Sequence, residues 1–360
     1  MPLSKDFHPL RIAEVRRETA DSVSLTFDLP AELAEAFAFQ AGQHLTVRAE
    51  IGGEEVRRNY SVCAAPGDGE LRIAIKQIAD GVFSGWANRA LAAGATLEAM
   101  PPHGAFTWSF DPAASRRYVA FAGGSGITPV LSLLRTALRD EPGSRFTLFY
   151  GNRSTAQVMF LEELAGLKNR FMDRLEVYHF LEDEEEDTEL FNGRLDAAKV
   201  DDVLAALVRT EDPDAFFVCG PGPMMDAVEA ALLARGVGRE KILLERFITG
   251  PLSEAQAAAA RRMAEDARGR RLTVVLDGRR SKIDFDAEKG SILESARAAG
   301  LPAPFACKGG VCATCRARVV SGKVEMKANY ALTDAELAAG FILTCQAVPL
   351  EDGVVVDYDG

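Results

Sequence analysis

Four cysteines crowd the last sixth of this 360-residue chain: Cys307, Cys312, Cys315 and Cys345. The first three follow a C-x4-C-x2-C spacing, and the fourth stands well downstream. Thiolates in that arrangement can hold a [2Fe–2S] cluster. Their charge calls for backbone N–H groups aimed at the sulfurs. Lys308-Gly309-Gly310-Val311 and Ala313-Thr314 suit a tight loop of that kind, with two glycines free to take unusual φ values. A structural zinc site is the rival reading, although zinc usually takes paired short spacings. Cys63 and Cys219 stand alone. In a cytosolic chain such a cluster reads as a metal site rather than a disulfide framework.

A second chemistry is suggested by glycine-rich turns. Gly123-Gly124-Ser125-Gly126-Ile127-Thr128-Pro129 follows a predicted strand and opens a predicted helix. Glycines there let backbone amides approach a phosphate at a helix N-terminus. Read as G-x-G-x-x-G from Gly124, the pattern has Pro129 in place of its third glycine, so a plain strand–helix turn is the alternative. Gly151-Asn152-Arg153-Ser154 ends the next strand. An arginine at that distance suits a 2′-phosphate, so Arg153 points to NADPH; a surface arginine is the alternative. Cys219-Gly220-Pro221-Gly222-Pro223-Met224-Met225 again joins a strand end to a helix, where ligands sit in open α/β sheets. Cys219 could equally be a small buried residue.

Nearer the N-terminus, Arg58-Asn59-Tyr60-Ser61 combines a phosphate-pairing arginine, an aromatic plate and a hydroxyl. Gly81-Val82-Phe83-Ser84 precedes a predicted helix and could seat a pyrophosphate. Each segment alone could be ordinary strand or turn. The four histidines (His8, His44, His103 and His179) are scattered and form no metal or triad spacing, which predicts structural or surface roles.

These residues need elements to hold them. Residues 9–110 read as short strands, such as Leu45–Arg48 and Leu71–Lys76, separated by turns and interrupted by one helix from about Ser84 to Leu91. That predicts a barrel or a sandwich over 1–112. From Arg116 the rhythm becomes strand–helix alternation, with apolar runs at Tyr118–Ala122, Phe146–Tyr150, Leu175–Phe180 and Ala215–Cys219. An α/β parallel-sheet domain is expected over 113–250. Residues 251–270 predict a helical linker capped by Ser253, with too few large apolar residues to pack firmly. Strands at 272–276 and 282–285 and a helix from Ser291 to Ala299 open the last domain, 271–360. The acidic run Glu182–Asp187 predicts a solvated loop, with a docking patch as the alternative.

Net charge is −12, which argues against a nucleic-acid binder. Lys and Arg number 26 against 38 Asp and Glu in residues 1–250, but 11 against 12 in 271–360. The acid excess lies in the first two domains, and the cysteine-bearing one is nearly neutral. The N-terminus lacks a basic-plus-apolar signal pattern, and no apolar run approaches the ~18 residues of a membrane span. A cytoplasmic location is expected.

Residues 271–360 resemble plant-type ferredoxins, which implies a β-grasp (α+β) fold and assigns the four clustered cysteines as ligands. Residues 1–250 resemble the ferredoxin–NADP reductase superfamily, which implies an antiparallel β-barrel flavin domain over 1–112 followed by a nucleotide domain. Its R-x-Y-S motif matches Arg58, Tyr60 and Ser61, which implies flavin contacts. Its phosphate segments match Gly81 to Ser84 and Gly123 to Pro129, and its C-G-P segment matches Cys219 to Pro221. The resemblance implies FAD and a nicotinamide near Ser61 and Cys219. Glu245-Arg246-Phe247 matches the place where many members set residues near the flavin.

The order flavin–nucleotide–ferredoxin is similar to the reductase components of multicomponent oxygenases. The likeness runs through Tyr150–Ser154, Ala306–Cys315, Asn329-Tyr330 and Val354–Asp357. It implies electron flow from NADPH through FAD and [2Fe–2S] to a separate acceptor, because a flavin accepts hydride yet releases single electrons. The implied partner is the di-iron oxygenase that epoxidises phenylacetyl-CoA in phenylacetate catabolism. Another oxygenase, a hydroxylase or a desaturase is the alternative acceptor, and a non-catalytic redox sensor is the remote one.

Overall fold

A computed structural model of the chain describes residues 6–247 and 254–360. They form two compact units, divided between Phe247 and Ile248.

The first unit opens with six antiparallel strands: β1 (His8–Thr19), β2 (Ser22–Asp28), β3 (His44–Ile51), β4 (Glu54–Ser61), β5 (Leu71–Lys76) and β6 (Thr96–Ala99). Their order is β4-β3-β6-β1-β2-β5, and a bridge between Val62 and Ile73 brings the two edges together. Gly52 and Gly53 both take positive φ at the β3–β4 turn, the two-residue hairpin geometry that β-branched residues could not adopt. Helix α1 (Val82–Ala90) turns Phe83 and Ala87 into the barrel core.

A parallel sheet follows, built from β7 (Arg117–Gly123), β8 (Arg145–Asn152), β9 (Leu175–Leu181), β10 (Ala215–Cys219) and β11 (Ile242–Glu245). Helices α2 (Ile127–Asp140), α3 (Leu161–Arg170), α4 (Ala197–Leu207) and α5 (Gly222–Ala234) alternate with the strands. Both faces are covered. On β7, Tyr118, Ala120 and Ala122 enter one apolar cluster, and Val119 and Phe121 enter the other. The strand order β11-β10-β7-β8-β9 reverses direction between β7 and β10. Ligands of open α/β sheets sit beyond the strand ends at such a switch.

Barrel and sheet share one core. Leu71, Ile73 and Ile75 of β5 fill the barrel, while Ala74 packs with Leu131 and Leu134 of α2. The alternation in β5 would suit a half-solvated strand, but its other face is buried against the second domain. Ser132 donates to the carbonyl of Ala64 at 2.6 Å, and Arg72 pairs with Glu163 at 2.9 Å.

In the second unit, helix α6 (Glu254–Asp266) leads into β12 (Arg271–Leu276), β13 (Arg279–Asp284) and helix α7 (Ile292–Ala298). Then come β14 (Arg316–Ser321), β15 (Val324–Met326), the short helix α8 (Asp334–Ala338), β16 (Phe341–Leu343), β17 (Ala347–Pro349) and β18 (Val354–Asp357). The sheet order β13-β12-β18-β14-β16 places the last strand in the middle, parallel to β12. Ser291 caps α7 by accepting from the Glu294 amide. The proposed cap at Ser253 lies outside the described residues. Ala264 and Ala267 are buried in this unit's core with Leu272 and Val274. The sequence suggests loose packing here for want of large apolar residues; instead small alanines let the segment approach closely. Among the described residues, no helix is long and apolar enough to cross a membrane.

Candidate functional site

The cysteine loop runs from the end of α7 to β14, and Cys345 sits between β16 and β17. Cys312, Cys315 and Cys345 are buried and Cys307 half-buried. The thiols meet in two pairs. A bond from Cys307 holds the Cys312 thiol well below its usual range, while the same bond pushes Cys307 up. Cys345 and Cys315 repeat the relation. Among the described residues, no three His, Cys, Asp or Glu side chains close around a single ion. Two thiol pairs fit a cluster of two irons, each held by two sulfurs. The amide of Gly309 points at the Cys307 sulfur at 3.3 Å, and that of Cys307 at Cys312 at 3.5 Å. The buried Thr314 hydroxyl donates toward the Cys312 sulfur, which helps to hold that thiol low.

The loop's unusual dihedrals fall partly on unexpected residues. Gly310 has φ +82°, as a glycine allows, but Lys308 (+56°) and Ala313 (+53°) are also left-handed. A left-handed non-glycine residue costs about 1–2 kcal/mol, and such strain persists only where the surroundings over-determine it. Lys308 is anchored by Glu294 at 2.9 Å and lies over the Phe305 ring. Gln346 donates to the Lys308 carbonyl at 2.8 Å, tying this loop to the hairpin of Cys345.

On the barrel, β4 carries Arg58, Tyr60 and Ser61. Arg58 is exposed, with its guanidinium bonded to the carbonyl of Arg57. Tyr60 lies 5.7 Å from the Phe83 ring, and burial raises its phenol pKa against the pull of Arg58. The Ser61 hydroxyl is buried and finds no partner. Gly81 caps α1, and a Cβ there would meet Ser84 Oγ at 2.4 Å. The first amides of that helix have no intrahelical acceptor, and Val82 is exposed beside them. Phe83 instead faces inward, so its side chain is core, and only its backbone is available to a phosphate. An orphaned hydroxyl and a glycine-capped helix N-terminus fit a flavin and its pyrophosphate.

At the sheet's switch point, Gly123–Gly126 and Cys219–Pro221 are pressed together. A Cβ on Gly126 would lie 2.0 Å from the Cys219 carbonyl oxygen, and one on Gly123 would lie 2.5 Å from Pro221 Cδ. Gly220 would meet the Gly123 amide nitrogen at 2.9 Å. Only glycine permits this approach. Thr128 bonds the Ser125 carbonyl at 3.0 Å, and Tyr150 bonds that of Gly124 at 3.0 Å, fixing the turn. Pro129 is buried inside the first turn of α2, where proline's missing donor does no harm. Burial pushes the Cys219 thiol far up, which keeps it in the neutral form at the end of β10.

Arg153 is exposed at the end of β8, and the neighbouring Asn152 side chain is buried beside the Tyr150 hydroxyl. The acidic run is not simply solvated. Glu184 accepts from both the amide and the hydroxyl of Thr155, and the Asp183 amide donates to the Arg153 carbonyl.

Two of the histidines expected to be scattered meet. His44 and His103 are both buried, with ring centroids 4.3 Å apart, and Asn59 bonds His44 at 3.1 Å. His44 stands opposite Ser61 in the β3–β4 register, and Cys219 stands opposite Glu245 in the β10–β11 register. His44 Nδ1 lies 3.9 Å from Glu245. One contact therefore brings the flavin-side serine and the nucleotide-side cysteine into the same neighbourhood. Sequence spacing could not reveal it, because the partners are remote in the chain.

Three family descriptions match the chain in succession: an oxidoreductase FAD-binding domain over residues 9–108, an oxidoreductase NAD-binding domain over 121–230, and a 2Fe-2S iron-sulfur cluster binding domain over 274–350. The chain belongs to the ferredoxin–NADP reductase superfamily, in the group that carries a C-terminal [2Fe–2S] ferredoxin domain. It is 44% identical to a component of the 1,2-phenylacetyl-CoA epoxidase of Escherichia coli K12, over 98% of each chain. It is 34% identical to the ferredoxin reductase component of the 3-ketosteroid-9-alpha-monooxygenase of Rhodococcus rhodochrous, over 97% of this chain and 96% of that one. The solved phthalate dioxygenase reductase shares the fold, with a TM-score of 0.61 and 24% identity over 98% of both chains. The protein is an oxidoreductase that uses FAD, NAD(P)H and a [2Fe–2S] cluster.

Proposed function

We propose that this chain takes hydride from NADPH and delivers single electrons to the di-iron oxygenase of a phenylacetyl-CoA epoxidase. The observation that carries the reading is the His44–Glu245 contact, which draws the ends of β4 and β10 together within one unit. The flavin, when bound, supplies the conversion of a hydride into two separate electrons.

The chain's own residues bind and orient. Arg58 and the amides of residues 82–84 would hold flavin phosphates, and Tyr60 and the Ser61 hydroxyl would contact the flavin itself. Gly123, Gly124, Ser125, Gly126 and Thr128 cradle the nucleotide pyrophosphate. Gly220 and Pro221 would hold the nicotinamide near Cys219, and Arg153 would pair with the 2′-phosphate. Cys307, Cys312, Cys315 and Cys345 hold the cluster. The functional division we propose is 1–112 for flavin, 113–250 for nucleotide, 251–270 as linker and 271–360 for the cluster. The last turn of the linker helix is seated on the cluster unit.

The acceptor assignment rests on the likeness to the Escherichia coli epoxidase component. Its test is NADPH oxidation coupled to epoxidation of phenylacetyl-CoA, with the cognate oxygenase added. Product formed in step with NADPH supports the assignment. Rapid reduction of an artificial one-electron acceptor without any epoxide would leave a reductase with another oxygenase, such as a steroid hydroxylase, as partner.

A further inference from the structure

We propose that Lys327 is a positioning residue that sets the reduction potential of the cluster held by Cys307, Cys312, Cys315 and Cys345, through a half-buried positive charge no carboxylate neutralises. The inference rests on those four cysteines being the ligands.

Lys327 follows β15 and lies between the two segments that carry thiols. Its amide donates to the Gln346 carbonyl at 2.9 Å, one residue beyond Cys345. The next residue, Ala328, packs its carbonyl 3.2 Å from where a Cβ on Gly310 would stand, inside the cysteine loop. The Tyr330 amide bonds the Gly310 carbonyl at 3.0 Å, and Asn329 closes the turn onto Leu332. The Lys327 backbone is thus fixed from both sides.

Its ammonium is fixed too. It bonds the carbonyl of Gly290, just before α7. The Leu293 amide in that helix donates to the Thr344 carbonyl, again one residue from Cys345. Burial lowers the pKa of this ammonium from its usual value, and the neighbouring Cys345 acts in the opposite direction.

Two other cations near the loop are compensated. Lys308 pairs with Glu294 at 2.9 Å and is 45% exposed along its side chain. Arg316 pairs with Glu336 at 2.7 Å and is 40% exposed. Among the described residues, Lys327 has a carbonyl partner and no ion pair. Each electron delivered to a four-thiolate site adds one negative charge. An uncompensated cation in a poorly screened position favours that charged form more than a paired, solvated one does. Lys327 therefore raises the potential and keeps the site able to accept electrons, in a domain whose formal charge is close to balanced.

The experiment is an anaerobic redox titration of the full-length holoprotein, followed by electron paramagnetic resonance of the reduced cluster. Lys327→Met and Lys327→Gln remove the charge, and the glutamine keeps a donor for the Gly290 carbonyl. Lys327→Arg keeps the charge. The two neutral variants are expected to shift the one-electron equilibrium about tenfold toward the oxidised form, or about 59 mV lower, and the arginine variant to stay near wild type. An unchanged potential in a neutral variant with its cluster intact overturns the proposal, as does an equal drop in all three. If Lys327→Met does not fold, Lys327→Gln carries the comparison. Wild-type protein lacking any cluster absorption or resonance would overturn the ligand assignment itself, a separate and distinguishable failure.

Discussion

Replacing Gly126 by alanine tests whether the nucleotide crevice is held together by backbone contact. The new Cβ would lie 2.0 Å from the Cys219 carbonyl oxygen and 2.4 Å from its carbon. Real Cβ atoms essentially never come within 3.0 Å, so the turn or the end of β10 must move by about 1 Å. Neither atom belongs to a flexible side chain. Overpacking of this kind costs about 1–3 kcal/mol. For a unit of this size each kcal/mol lowers Tm by about 2–4 °C, so the loss should fall between roughly 2 and 12 °C. A misplacement of about 1 Å can cost about a hundredfold in rate. Stopped-flow bleaching of the flavin by NADPH reads that step directly, and thermal melting reads the stability. Gly166→Ala is the internal control: it sits in α3 with nothing within 4 Å of the new methyl, and at ordinary φ. It should stabilise by about 0.4–1 kcal/mol. A Gly126→Ala protein with wild-type melting and wild-type hydride transfer would refute the idea that these turns fix the site.

Cys345→Ser should abolish iron–sulfur absorption and cytochrome reduction while flavin bleaching by NADPH persists; loss of both would mean the two units are not independent. Arg153→Ala should raise the KM for NADPH by tenfold or more, the scale of a charge-assisted hydrogen bond of about 1.5–3 kcal/mol, and leave that for NADH nearly unchanged; equal effects in steady-state assays would remove the 2′-phosphate role. Burial and His103 depress the pKa of His44 well below its usual value. Below pH ~6.5 the unfolded chain then binds a proton that the folded chain refuses, so stability is lost on acidification by up to about 1.4 kcal/mol per pH unit until the folded His44 titrates. Urea unfolding of His44→Gln between pH 5 and 6.5 should show a shallower decline than wild type, and parallel curves would exclude His44 as the source.

Local patterns made much of this legible. The cysteine spacing needed only one loop and one hairpin, and the change from β to βα rhythm at Arg116 followed from the apolar runs. The fold's tightest points were less visible. Gly126 reads as phosphate-binding in sequence, yet its absent side chain also admits the Cys219 carbonyl. His44, His103 and Glu245 could not be grouped, because strand registers and domain packing bring them together. Lys308 and Ala313 adopt left-handed φ where only glycines were expected, since anchors at Glu294 and Gln346 hold the loop against its own preference. The helix before β12 packs through alanines, which carry no hydrophobic signal in a composition reading.

The division of the chain into two units follows from what each has to move. A hydride passes only between atoms brought to about 3–3.5 Å, so the barrel and the parallel sheet must not drift. They share an apolar core, a buried arginine–glutamate pair and the Ser132–Ala64 bond. An electron makes no bond at its destination, so the demand on the cysteine unit is a different one. What it must control is charge, because every turnover adds and removes one unit of it among four sulfurs. The amides aimed at its sulfurs, the Thr314 hydroxyl and the role proposed for the half-buried ammonium of Lys327 all answer to that requirement.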